Sequence, residues 1–305
     1  MDGFSAFAIC GRDEQTQRQI WRSARNRGYG YGRVLSESFG WSDNKTFFRV
    51  AGKAIKFKRN NNGVLIVEDV GALAEYKTCM RVAAEEGMGM LVMGIVTSLR
   101  DASHGGNDEK REAWLKAIGK ASRGQDNIAF ETGNEPWHPK SHINRPSFLA
   151  KLYRILKNSS GGHWVSADQN IGAIFSNPDR YRYDFRQSKS DGPDFHPPRN
   201  PDPNVEDIRQ IVEVNTGWVL FSETTSWTAN EADLETFGWL VTTSRAQIQT
   251  YMNRCSPSKG CAWVFHSIEG LFTEGRFTWM PQRGNSPQLE PQGIMGTTRP
   301  QVYMN

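Results

Sequence analysis

Apolar and polar positions along the chain fall into a repeated alternation, in which short apolar runs are each followed by a longer amphipathic stretch. Residues 4–9 read as a first strand, and residues 15–27 carry a helical pattern that stops at Gly28. Residues 31–35 form a second short strand. Over 70–86 the pattern is strongly helical, with Leu73, Tyr76, Met80 and Ala83 on one face and Gly87 ending it. The run 88–96 that follows is apolar almost throughout, as expected of a strand covered on both faces. A helix over 108–122 and a strand over 127–131 come next. Pro146 then opens a helix over 146–156 from within its first turn. A strand at 163–167 and a shorter one ending at 194–196 follow. The cycle closes with a helix at 205–214, a strand at 218–222, a long helix at 232–252 and a strand at 261–265.

Strands alternating with helices imply parallel pairing through right-handed crossovers. Eight such units in 305 residues predict an α/β chain folded as a closed (β/α)8 TIM barrel, one domain spanning 1–305. The main competitor, a doubly wound open sheet, would bind a nucleotide through a glycine-rich first turn. Here that turn is Cys10-Gly11-Arg12-Asp13-Glu14, which holds no such fingerprint. Residues 270–305, rich in Gly, Pro, Gln and Thr, read as a loop-rich C-terminal segment, and no linker marks a second domain.

With 37% hydrophobic and 23% charged residues, the composition is that of a globular protein. No apolar run reaches the roughly 18 residues of a membrane span. Met1-Asp2-Gly3-Phe4 lacks the basic and apolar parts of a secretion signal, so neither is expected and the compartment stays open. A net charge of +4 spread over this surface argues little for nucleic acid. The basic stretch 45–59, where Lys53, Lys56, Lys58 and Arg59 lie among Phe47, Phe48 and Phe57, could stack bases. Its alternation at 54–58, followed by Asn60-Asn61-Asn62-Gly63, reads better as a solvated hairpin. Spacing permits a bridge between Cys255 and Cys261, but four scattered cysteines read more simply as buried free thiols.

Barrel enzymes carry their reactive groups just past the C-terminal ends of strands. After the fourth strand stands Glu131-Thr132-Gly133-Asn134-Glu135-Pro136-Trp137, and after the seventh Ser222-Glu223-Thr224-Thr225-Ser226-Trp227. The sixth leads into His196, and the eighth runs Trp263-Val264-Phe265-His266. Glutamates on strands four and seven would face each other across the barrel mouth. Cleavage of a glycosidic bond with retention needs two carboxyls about 5–5.5 Å apart. One attacks as the anion, and the other keeps its proton through burial and its negative neighbour. Carboxylates at strand ends also serve metal sites and proton abstraction, and Asn-Glu-Pro alone can simply begin a turn.

Asn134-Glu135-Pro136 at the fourth strand, with Glu223 at the seventh, resembles clan A of the glycoside hydrolases. The resemblance implies a retaining barrel glycosidase with Glu135 as acid/base and Glu223 as nucleophile. It implies that Arg33 supports the nucleophile, that Asn134 binds the sugar 2-hydroxyl, and that His196 is the strand-six histidine. Trp263 would be the strand-eight platform for the scissile sugar, although core filling explains it equally well. Trp137, Trp227 and His266 would shape subsites on the rim. Where many clan members carry a tyrosine two residues after the strand-six histidine, this chain has Pro198. Glu131 reads as a buried partner inside the barrel, on the same strand face as Glu135.

The expected substrate is a β-linked oligo- or polysaccharide, with no metal or organic cofactor and no nucleic-acid or membrane partner. Long loops at 36–67 and 169–193 favour an open cleft, hence an endo-acting β-mannanase or cellulase. An exo-acting β-glycosidase and a catalytically silent carbohydrate-binding barrel are the alternatives.

Overall fold

The structure of the protein, a computed structural model, describes residues 2–7, 9–36, 53–95, 107–134, 136, 143, 145–169, 190–195, 219–221 and 261–265. Its strands in chain order are β1 (Asp2–Ser5), β2 (Tyr31–Leu35), β3 (Phe57–Arg59), β4 (Leu65–Val67), β5 (Gly89–Ile95) and β6 (Ile128–Gly133). These are followed by β7 (Val165–Gln169), β8 (Gly192–Phe195), β9 (Val219–Phe221) and β10 (Cys261–Phe265). Eight of them close into a parallel barrel in the order β1, β2, β5, β6, β7, β8, β9, β10, with β10 returning to β1. The predicted (β/α)8 barrel is the observed fold. β3 and β4 form a separate antiparallel hairpin.

Strand alternation sorts side chains into two populations. Tyr31, Leu91, Ala129, Trp164, Leu220, Ala262 and Val264 cluster around the barrel axis. Phe4, Val34, Val92, Phe130, Phe195 and Phe221 point outward and join the apolar faces of the helices. The Tyr31 ring fits on the axis because Gly3 faces it, and a Cβ there would lie 2.3 Å from the ring. The Tyr31 hydroxyl donates to the Trp263 carbonyl at 3.0 Å, tying β2 across β1 to β10.

The described helices are α1 (Glu14–Arg25), α2 (Ala72–Glu85), α3 (Asp108–Ser122) and α4 (Pro146–Ser160). Asp13 caps α1 by accepting from the Thr16 amide at 2.9 Å, and Asn107 caps α3 by accepting from the Lys110 amide at 3.2 Å. On α1, Trp21 is fully buried and meets Phe4 edge to face, with ring centroids 5.7 Å apart. No described helix is long and apolar enough to cross a membrane.

Several boundaries depart from the sequence pattern. The first strand stops at Ser5, and Ile9–Gly11 is a 3-10 turn. Phe7, Ile9 and Cys10 are nonetheless buried, so the apolar run fills core through a turn rather than through strand pairing. α4 continues past Leu156 to Ser160, where the apolar pattern is silent. Its last serines are buried because their hydroxyls bond back to the helix, Ser159 to the Ile155 carbonyl at 2.6 Å. Helices expected at 205–214 and 232–252, and the segment 270–305, lie outside the described residues.

Part of the long segment 36–67 is the β3–β4 hairpin. Asn60 Oδ1 accepts from the amides of Asn62 and Val64, both at 3.0 Å, and Gly63 takes φ +73°. Lys58 pairs with Glu68 at 3.2 Å and Arg59 with Glu109 at 2.9 Å, so two of the basic residues here already meet carboxylates. Cys10 and Cys79 are buried free thiols, as expected. Cys261 corrects that expectation, for it is disulfide-bonded. A single bridge in a chain with a large core leaves no cysteine-dense signature, which is why the count concealed it.

Candidate active site

Among the described residues, two opposite charges stand at inward positions toward the C-terminal end of the barrel strands. Arg33 lies beside Leu91 in register on β2 and β5, and Glu131 beside Met93 on β5 and β6. Both point to the axis, and both are 0% exposed. Arg33 Nε donates to Glu131 Oε2 at 2.9 Å and Nη2 to Oε1 at 2.8 Å, a bidentate pair. The guanidinium also lies over the Phe7 ring, 5.3 Å from its centroid. Removing two charges from water costs several kcal/mol each, and this pairing is what offsets the cost.

The same Nη2 donates to Asn134 Oδ1 at 2.9 Å. Asn134 follows the last residue of β6, and its main-chain amide donates to the Ile95 carbonyl at 3.1 Å. It therefore continues the β5–β6 ladder to the rim, where it is half-buried. A guanidinium has donors only, so the atom facing it must be the amide oxygen. The NH2 end of Asn134 is accordingly turned away from Arg33.

Neighbouring strand ends are fixed by uncharged groups. Ser36 Oγ donates to the Gly94 carbonyl at 2.9 Å and accepts from the Trp114 indole at 2.9 Å, which ties β2 to β5 and α3. Thr132 Oγ1 donates to the Ser166 carbonyl at 3.0 Å, joining β6 to β7. A second acid, Asp194, stands fully buried on β8 in register with Leu220 of the axial cluster. Among the described residues, no group of three or more His, Cys, Asp or Glu could hold a metal ion.

Of the site residues expected from sequence, Arg33 and Asn134 are brought together as described. Glu135, Glu223, His196, Trp137, Trp227 and His266 lie outside the described residues. Trp263 is not at the rim. Its register partner Phe221 and its cluster both belong to the outward side of the barrel, and it is 0% exposed. The odd–even alternation of β10 puts Val264 on the axis and Trp263 against the helical shell, so it fills core. Trp21, Trp114 and Trp164 are buried as well, which assigns these tryptophans to packing rather than to sugar stacking.

Glu131 was legible as a buried partner, but its link to Asn134 through Arg33 was not. The available signal was a pair of opposite charges at inward positions of two strands that otherwise carry apolar or small residues.

No protein-family model matches the chain, and no curated protein matches it either. Among solved structures it is similar to a glycoside hydrolase family 5 protein from Bacteroides vulgatus, with 12% identity, TM-score 0.56, 87% of this chain and 57% of that one. It is similar to an endo-1,4-β-D-mannanase from Thermotoga petrophila, with 11% identity, TM-score 0.56 and 87% of each chain. A third likeness is to an endo-1,4-β-mannanase from Rhizomucor miehei, with 10% identity, TM-score 0.51, 90% of this chain and 93% of that one. The chain spans 52% and 57% of two Bacteroides vulgatus chains that it resembles. At these identities the likeness is one of fold. The closed parallel barrel and its glycoside hydrolase neighbours agree with the resemblance to clan A.

Proposed function

We propose that the chain is a retaining glycoside hydrolase that cleaves β-linked oligo- or polysaccharide by double displacement, acting within the chain as a β-mannanase or cellulase does. The observation that carries this reading is the buried Arg33–Glu131 pair whose guanidinium also holds Asn134 at the end of β6. Apolar side chains of similar volume would fill that space at least as stably. A charged network at the C-terminal end of a barrel, next in sequence to Glu135, fits a reaction site better than a stability device. The mannanases among its structural neighbours support the substrate class.

In the first step the Glu223 carboxylate attacks the anomeric carbon while Glu135 gives its proton to the departing glycosidic oxygen. In the second, Glu135 takes a proton from water, whose oxygen displaces Glu223 and restores the starting configuration. In this reading Arg33, Asn134 and His196 orient the sugar and the carboxylates. Reducing-sugar release from β-mannan, β-glucan and xylan tests the reading. Glu135→Gln and Glu223→Gln should each lower the rate by roughly 10²–10⁴-fold. Hydrolysis that persists unchanged in both variants would overturn it.

A further inference from the structure

Glu131 is fully buried inside the barrel, and its two oxygens take up Nε and one hydrogen of Nη2 of Arg33. That leaves the guanidinium one permitted rotation, with its remaining Nη2 hydrogen aimed at Asn134 Oδ1. The amide of Asn134 is thereby locked one way round. Without a fixed donor at Oδ1, the side chain can turn over and present an acceptor where a donor stood, for little cost in packing.

We propose that Glu131 is a positioning residue that, through Arg33, keeps the NH2 end of Asn134 toward the barrel mouth and so sets selectivity for a sugar bearing a hydroxyl at C2. The inference rests on the functional reading above. It adds that the carboxylate which fixes the orientation of Asn134 lies inside the barrel.

Purified full-length protein is assayed on 2,4-dinitrophenyl β-cellobioside and β-mannobioside, each beside its counterpart deoxygenated at C2 of the reaction-centre sugar. Wild type should prefer the hydroxylated member of the pair. Glu131→Gln keeps the shape but loses the anion and one acceptor. It should cut that preference on the order of tenfold, through kcat more than KM, because the contact strengthens in the transition state. Asn134→Ala should remove the same preference, and adding Glu131→Gln to it should change little further. If Glu131→Gln fails to fold, Arg33→Met/Glu131→Leu removes both buried charges together and should show the same loss of preference.

A purely structural Glu131 gives a different result, slowing both members of each pair equally and leaving the ratio at the wild-type value. That outcome overturns the inference while the functional reading stands. Wild type that turns over neither glycoside, nor any polysaccharide of the panel, overturns both.

Discussion

Replacing Arg33 by methionine removes the counter-charge of a carboxylate that water cannot reach. Arg33 and Glu131 are both 0% exposed and share two charge-assisted bonds of 2.8 and 2.9 Å. Stripping one partner from such a pair costs about 3–5 kcal/mol. Unfolding entropy near 60 °C is about 2.1 cal/mol/K per residue, so 305 residues unfolding together give about 640 cal/mol/K. Arg33→Met should therefore melt about 5–8 °C below wild type. Glu131→Leu should cost a similar amount, for it strands the guanidinium instead. Arg33→Met/Glu131→Leu removes both charges of the pair together and should recover most of the loss seen in either single variant. Guanidinium chloride unfolding followed by circular dichroism and tryptophan fluorescence yields the four free energies of the cycle, with an expected coupling of about 3 kcal/mol or more. Additive single effects, with the double variant carrying their sum, would refute the claim that this pair is a buried, mutually dependent unit.

Three further outcomes follow from other parts of the barrel. Gly3→Ala should destabilise by about 1–3 kcal/mol, since its Cβ would lie 2.3 Å from a Tyr31 ring that is fully buried; Gly3→Ala/Tyr31→Leu should recover most of the loss in thermal melts. Cys10 and Cys79 are free and buried, and burial pushes the Cys79 thiol up, so neither should react with Ellman's reagent in the native protein. In denaturant without reductant two thiols per chain should react, and four would contradict the bridge at Cys261. Burial also raises the Glu75 carboxyl, although the Lys53 amide at 2.8 Å and the Lys53 charge oppose this. The folded state then holds that proton more readily than the unfolded one, and its stability falls as pH rises through the window above the ordinary carboxyl value. Glu75→Gln should accordingly raise the melting temperature at pH 7, with the gain vanishing below about pH 4.

Periodicity carried most of the described fold because a parallel barrel is covered on both faces. The apolar run at β5 and the 3.6-residue pattern of α2 and α3 each satisfy a burial requirement that one sequence window expresses. The pattern misled where burial and secondary structure part company. Phe7, Ile9 and Cys10 are apolar yet lie in turns, and the end of α4 is polar yet buried. Motif placement located Asn134 at a strand end and Arg33 on β2, but side-chain pairing across 98 residues, Arg33 to Glu131, has no local signature. Trp263 shows the opposite failure. A residue type that suits the chemistry sat one position off the inward face, and β-strand alternation decided against it.

The central claim is that hydrolysis passes through a covalent glycosyl-enzyme at Glu223. Incubation with 2,4-dinitrophenyl 2-deoxy-2-fluoro-β-glycosides of cellobiose and mannobiose, followed by intact-mass and peptide-mapping mass spectrometry, interrogates that intermediate itself. The account predicts one glycosyl unit per chain, on the peptide containing Glu223, and none in Glu223→Gln. Substrate turnover that releases the inverted anomer, with no adduct on that peptide, would contradict it.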